Sequence, residues 1–288
     1  MNVLTAVLLT YNHEKTIARA FDSILDQKTN FDFDIYVLED CSTDRTADIC
    51  EEYKEKYPHK IRLFLNEKNL GVLQNFKQGI LNVKSKYFAF LEGDDYWCDS
   101  EKLQKQVDLL EQNPDCVICT HKTLYKDIVN NKEWIEPDGK KYKTREKYTM
   151  KDKIKVHASS RIYRNVIDFK NVPHFMLLDT DMLSLYLTRG DMVFLDKVMS
   201  VYNITGAGYW SGKSIKQRRL INIKQRYAAN KYLNFALDCR YYNRSSFLKA
   251  LKFIFGAKTG WFLYYHIKII RLHLKYLFKD NPEDIKED

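Results

Sequence analysis

With 288 residues, 45% hydrophobic and 14% aromatic, the chain can bury a sizeable core, which excludes an intrinsically disordered protein. A formal net charge of +9 invites an anionic partner. No RNA-binding signature or recognition-helix pattern accompanies it, so nucleic acid is not an expected partner. The apolar runs are too short and too often charged to span a bilayer.

The hydrophobic pattern predicts a strand at AVLL (6–9), a polar turn TYNHEKT, and a helix over 16–25 in which Ile17, Ala20, Phe21 and Ile24 recur at helical spacing. A strand over 34–40, an amphipathic helix over 46–57 stopped near Pro58, a strand over 60–66, a helix over 69–83 and a strand over 86–92 follow. Strands alternating with helices predict a mostly parallel sheet covered on both faces.

A helix over 101–113 turns Leu103, Val107 and Leu110 inward, and CVICTHKTLY (116–125) reads as a further strand. Cys116 and Cys119 form a CxxC, but inside an apolar run and with no second pair at zinc-finger spacing, so they are read as buried strand residues. The other cysteines, Cys41, Cys50, Cys98 and Cys239, are scattered, and no basic-then-apolar segment opens the chain. A reducing cytoplasm is the expected location.

Residues 127–156 are polar, lysine-rich and weakly periodic, which predicts a surface excursion or lid. A strand-like HASSRIYR (157–164), a helix around 179–190 and a strand MVFLD (192–196) lead to a boundary near Gly212. The expected organisation is a core domain over 1–212 and a tail over 213–288. The tail is rich in lysine, arginine and interleaved aromatics, and SFLKALKFIF (246–255) and YYHIKIIRLHLKYLF (264–278) read as basic amphipathic helices. Such a tail suits either an anionic membrane surface or a helical cap on the catalytic domain.

In doubly wound sheets ligands sit beyond the carboxyl ends of the strands. Thr10, Tyr11 and Asn12 follow the first strand, Glu39 and Asp40 end the second, and FAFLEGDDYW (88–97) ends the fourth with Glu92, Asp94 and Asp95. Three carboxylates at an exposed strand end repel one another unless a cation sits among them. Mg²⁺ or Mn²⁺ favours carboxylate oxygens and keeps open positions for phosphate. A solvated acidic turn is the alternative.

TYN, EDCSTD, NLG and EGDDYW stand in an order and at spacings that resemble glycosyltransferase family 2, with its nucleotide-sugar-binding GT-A fold. The resemblance is specific over 3–115, looser over 157–212 and absent beyond. It implies that Thr10 and Tyr11 open the nucleotide pocket, with Tyr11 stacked on the base and Glu14 as a second polar contact. Asp40 is similar to the aspartate that hydrogen-bonds the pyrimidine. EGDD occupies the place of the DxD motif, which gives Asp94 to ribose or metal and Asp95 to the metal bridging the diphosphate. Glu92 stands where the family more often has aspartate.

LLDTDMLSLYL (177–187) resembles the segment whose aspartate serves as base in an inverting transfer. Alignment through the downstream FLD favours Asp179, with Asp181 as second candidate; Asp179 also reads simply as a helix cap. One departure stands out. The related YRIHGGG segment offers Arg and His, whereas this chain has Tyr202, Asn203, Ile204, Thr205 and Gly206. His157 lies in HASSRIYR, where a lone histidine is more often structural.

The expected protein is a cytoplasmic, peripherally membrane-bound, metal-dependent inverting transferase with Mn²⁺ or Mg²⁺. It would move a sugar from a nucleotide donor, a UDP-sugar by resemblance, to a glycan or lipid-linked acceptor of a bacterial surface polysaccharide. Two alternatives stay open. A sugar nucleotidyltransferase would want a glycine-rich basic loop after the first strand, and TYNHEKT has no glycine. A non-catalytic glycan-binding scaffold would keep the fold without turnover.

Overall fold

The computed structural model describes residues 2–137, 144, 146–149, 156–177 and 179–206, together with positions 214 and 232. The chain divides into two units, Met1–Ser214 and Ile215–Asp288. The expected basic tail therefore lies outside the described residues, apart from those two positions. Among the described residues no helix is long and apolar enough to cross a membrane.

Strand β1 (Leu4–Thr10) is the spine of the first unit, and all seven of its residues are buried. Successive strand side chains point to opposite faces, so both faces of the sheet are covered here. β1 pairs in parallel with β2 (Phe33–Glu39) on one side and with β4 (Tyr87–Glu92) on the other. β2 in turn pairs in parallel with β3 (Ile61–Leu65).

The crossover helices are α1 (Ile17–Leu25), α2 (Thr46–Lys56) and α3 (Val72–Ile80). α1 buries the four residues that the spacing selects, Ile17, Ala20, Phe21 and Ile24. The Phe21 ring stacks on Tyr53 of α2 with centroids 4.3 Å apart. Each such buried large side chain contributes roughly 1.5–3 kcal/mol by area.

After β4 the chain turns through Gly93 and Asp94 into the short β5 (Tyr96–Trp97), then α4 (Lys102–Glu111) and β6 (Cys116–Asp127). β7 (Lys132–Glu136) folds back on β6 as a hairpin, and β8 (Lys147–Tyr148) pairs with β10 (Asp191–Ile204). β9 (Ile162–Arg164) lies antiparallel between β4 and β6, and α5 (Asp179–Tyr186) precedes β10. The sheet runs β3-β2-β1-β4-β9-β6-β10-β5, with β7 and β8 off this path.

Two expectations need correction. The excursion expected over 127–156 begins as the regular β6–β7 hairpin. The strand expected over 192–196 runs on to Ile204, because Asp196 and Lys197 fall where its pairing with β6 slips between Leu195 and Val198. A bulge lets two charged residues point outward without ending the strand. The observed architecture is the expected α/β GT-A type, a mostly parallel mixed sheet with helices on both faces.

Candidate active site

The strand order reverses at β1, where β2 and β3 extend one way and β4 the other, and this makes the crevice in which ligands bind such sheets. Backbone bonds tie the strand ends together there: Asp40 N–H donates to Thr10 O at 3.1 Å and Gly93 N–H to Leu9 O at 2.8 Å. Gly93 is required by close approach. A Cβ at that position would stand 2.6 Å from His13 Nδ1 and 2.8 Å from Thr10 Oγ1.

Glu92, Asp94 and Asp95 converge beyond β4, each offering an oxygen within 4.8 Å of the others. The three differ in setting. Glu92 is exposed to solvent although protein atoms crowd around it. Its carboxyl is pushed up to about 8, first by lost hydration and then by the charges of Asp94 and Asp179. Asp94 is raised by burial, against an opposing pull from His13. Asp95 is raised well above the carboxylate range by burial and by both acidic neighbours.

Asp95 was expected at an exposed strand end, and it is fully buried. Its Oδ1 accepts the Asn203 backbone N–H at 2.9 Å, and the Asn203 side chain donates to Asp94 O at 2.6 Å. The residue flagged as a departure in the sequence is thus the brace of the acidic turn. Asp94 Oδ1 and Asp95 Oδ2 are buried without a hydrogen-bond partner among the described residues. Buried carboxylate oxygens, one of them under the charge of its acidic neighbours, fit a divalent cation, which would satisfy both at once.

Thr10 is buried at the end of β1, with Oγ1 3.2 Å from His13 Nδ1. Burial holds His13 below the usual imidazole range, against the opposing charges of Asp94 and Asp44. Tyr11 is 40% exposed, so its ring is open to a ligand. Glu14 Oε2 accepts the Arg45 N–H at 3.2 Å, which places its carboxylate against the start of α2.

Asp40 is buried, and both of its oxygens are engaged. Oδ1 accepts from Asn66 Nδ2 at 2.8 Å and Leu70 N at 2.9 Å, and Oδ2 accepts from Gly71 N at 2.9 Å. Gly71 has φ +79°, which favours glycine. The aspartate expected to touch the base therefore first shapes the NLG loop that would border it.

Asp179 opens α5 with its side chain 51% exposed, and its charge acts on Glu92, Tyr125, His157 and Tyr202. The fold thus brings the expected base within electrostatic reach of Glu92. Asp181, the second candidate, is buried. His157 is structural in its contacts. Its Nδ1 lies 2.8 Å from Ser159 Oγ, its ring packs on Tyr202 at 4.2 Å, and burial pushes it down to about 4.

Tyr202, Tyr125 and Trp134 sit directly opposite one another on adjacent strands, in a row leading away from the acidic turn. Cys116 and Cys119 are buried free thiols in β6, pushed up by burial to about 11 and about 12, as their apolar run predicts. Sequence reasoning missed Arg161, His13 and Asn203 as parts of the site. Asn203 was visible only as a departure from the family segment, and Arg161, just before the Ile162–Arg164 strand, carried no distinguishing pattern.

Comparison with known proteins agrees with this geometry. TuaG of Bacillus subtilis, described as a putative teichuronic acid biosynthesis glycosyltransferase, is 31% identical over 108 residues, 38% of this chain and 42% of its own. Staphylococcus aureus TarS 1-349, solved with UDP, superposes with a TM-score of 0.56 at 21% identity, covering 77% of this chain and 65% of that one. The mannosyltransferase PcManGT of Pyrobaculum calidifontis, solved with GDP-Man and Mn²⁺, gives a TM-score of 0.56 at 14% identity over 95% of this chain and 81% of its own. Mycobacterial relatives described as uncharacterized match over 219 residues at 29% identity, and the chain spans 63% of their length. The family model for glycosyl transferase family 2 matches residues 5–168, so the chain belongs to that family.

Proposed function

We propose that the chain is a metal-dependent inverting transferase that moves a sugar from a nucleoside diphosphate donor to a hydroxyl of a surface-glycan or lipid-linked acceptor. The observation that carries this reading is the acidic turn, in which three carboxylates converge within 4.8 Å and two buried oxygens lack hydrogen-bond partners among the described residues. Glu92, Asp94 and Asp95 would hold Mn²⁺ or Mg²⁺ there. Once bound, the ion neutralises charge developing on the diphosphate leaving group.

The protein's own residues supply the rest. Tyr11 stacks on the base, while Thr10 and the loop that Asp40 shapes border it. Asp179 takes the proton of the acceptor hydroxyl as that oxygen bonds to the anomeric carbon and the bond to the diphosphate oxygen breaks on the opposite face. The solved complexes of TarS with UDP and PcManGT with GDP-Man support a nucleotide donor, and TuaG supports a surface-glycan pathway. A peripheral position at an anionic membrane, on the cytoplasmic side, rests on the basic tail composition alone.

A thermal-shift panel of UDP-, GDP- and dTDP-sugars, run with Mn²⁺ and with chelator, tests the reading. Ligand bound to the folded state raises the melting temperature with log concentration. A shift from one nucleotide family that needs Mn²⁺ is expected. Equal shifts in chelator, or none from any donor, would refute the metal-clamped donor site.

A further inference from the structure

Arg161 is a charge in a place where charges are rare. Its side chain is 2% exposed at the entry to β9, yet it has a carboxylate partner, Asp179, that is 51% exposed. Both of its Nη nitrogens reach that residue, while Nε is buried without a hydrogen-bond partner among the described residues. Nη1 donates to Asp179 O at 2.7 Å and to Tyr163 Oη at 3.1 Å. Nη2 meets Asp179 Oδ1 at 2.5 Å and also donates to Val156 O. The planar guanidinium thus grips the main chain and the side chain of one residue together, a geometry that a lysine cannot reproduce.

An exposed aspartate ordinarily samples several rotamers. Here one oxygen is held from the protein interior, and Oδ2 takes no hydrogen bond from any described residue. The grip also pairs the one charge that Asp179 adds beside Glu92. Burying an arginine unpaired is strongly unfavourable, so the pair persists only while both members are charged and aligned.

We propose that Arg161 is a positioning residue for transfer: it fixes the Asp179 carboxylate so that Oδ2 faces the acceptor hydroxyl, and it touches neither donor nor metal. The proposal rests on Asp179 being the base. Small misplacements of a reacting group cost up to about 10²-fold in rate, so the effect belongs in kcat and not in donor binding.

A double-mutant cycle tests it, with kcat, donor KM and melting temperature measured for R161M, R161K, D179N and R161M/D179N. R161M should lower kcat by about tenfold or more with donor KM within about twofold, and R161K should fall between it and wild type. In the D179N background R161M should cause no further loss, because residues acting as a unit are not additive. An equal proportional loss in both backgrounds, or a loss confined to donor KM, overturns the positioning role. If R161M fails to fold, R161K and R161K/D179N carry the same cycle. Wild-type turnover in D179N would instead remove the base assignment, whereas an inactive D179N beside a normal R161M would remove the Arg161 proposal alone.

Discussion

The two sides of the candidate site are built differently. The proposed donor side, from Thr10 to Asp95, comes from strand ends, and each of its groups lies within a few residues of a recognisable motif. The proposed acceptor side, around Asp179, comes from contacts across the sheet: Arg161 to Asp179, His157 against Tyr202, and Asn203 reaching back 108 positions to Asp95. Local motifs build the first side up to its brace from Asn203, whereas the second is assembled from residues distant in sequence.

If the halves are separable, Asp179→Asn should reduce transfer by about 10²-fold or more while leaving donor affinity nearly unchanged. Kinetics paired with donor titration check this, and a parallel loss of donor affinity would show that the halves are not independent.

Asn203→Ala strikes the joint between them. It removes the side-chain bond to Asp94 O but keeps the backbone bond to Asp95, so the turn loosens without losing its acids. The expected result is a fall in metal affinity by about tenfold, on the scale seen when groups that orient metal ligands are removed. Mn²⁺ titration measures it.

Gly93→Ala probes the donor half alone. Its Cβ would press on His13 and Thr10, and overpacking of this kind costs about 1–3 kcal/mol. A lower melting temperature and weaker donor binding are expected; unchanged values would mean that the turn relaxes freely.

A smaller effect separates stability from catalysis. Lys102 is fully buried over the Trp97 ring at 4.2 Å, and its Nζ has no hydrogen-bond partner. Burial lowers it to about 7, only partly countered by Cys119, Asp99 and Cys98. The unfolded chain holds that proton up to about 10.4, so the penalty is full below pH 7 and fades as pH rises through this window. Lys102→Met should therefore raise the melting temperature at pH 6, by less at pH 9, with turnover little changed.

Legibility followed the same division. The strand–helix alternation to residue 97, the acidic turn and the buried CVIC run could be read because the residues that make each feature are neighbours in sequence. Asp95 was misplaced at the surface because what covers it includes Asn203, on a strand whose length Asp196 and Lys197 disguised at a bulge. Arg161 was passed over because its partner is separated from it by 3₁₀ turns that carry no periodic signal. Asn203 looked like a missing cation and is a brace, a role visible only once β10 lies beside the acidic turn.

Metal-dependent donor turnover by the acidic turn is tested most directly by sugar release or transfer from the preferred donor, in wild type and Asp95→Asn, each with excess Mn²⁺ and with excess chelator. Turnover is expected only in wild type with metal, with Asp95→Asn retaining the wild-type circular dichroism spectrum. Wild-type turnover that persists in chelator, or full activity in Asp95→Asn, would contradict a metal held by Glu92, Asp94 and Asp95.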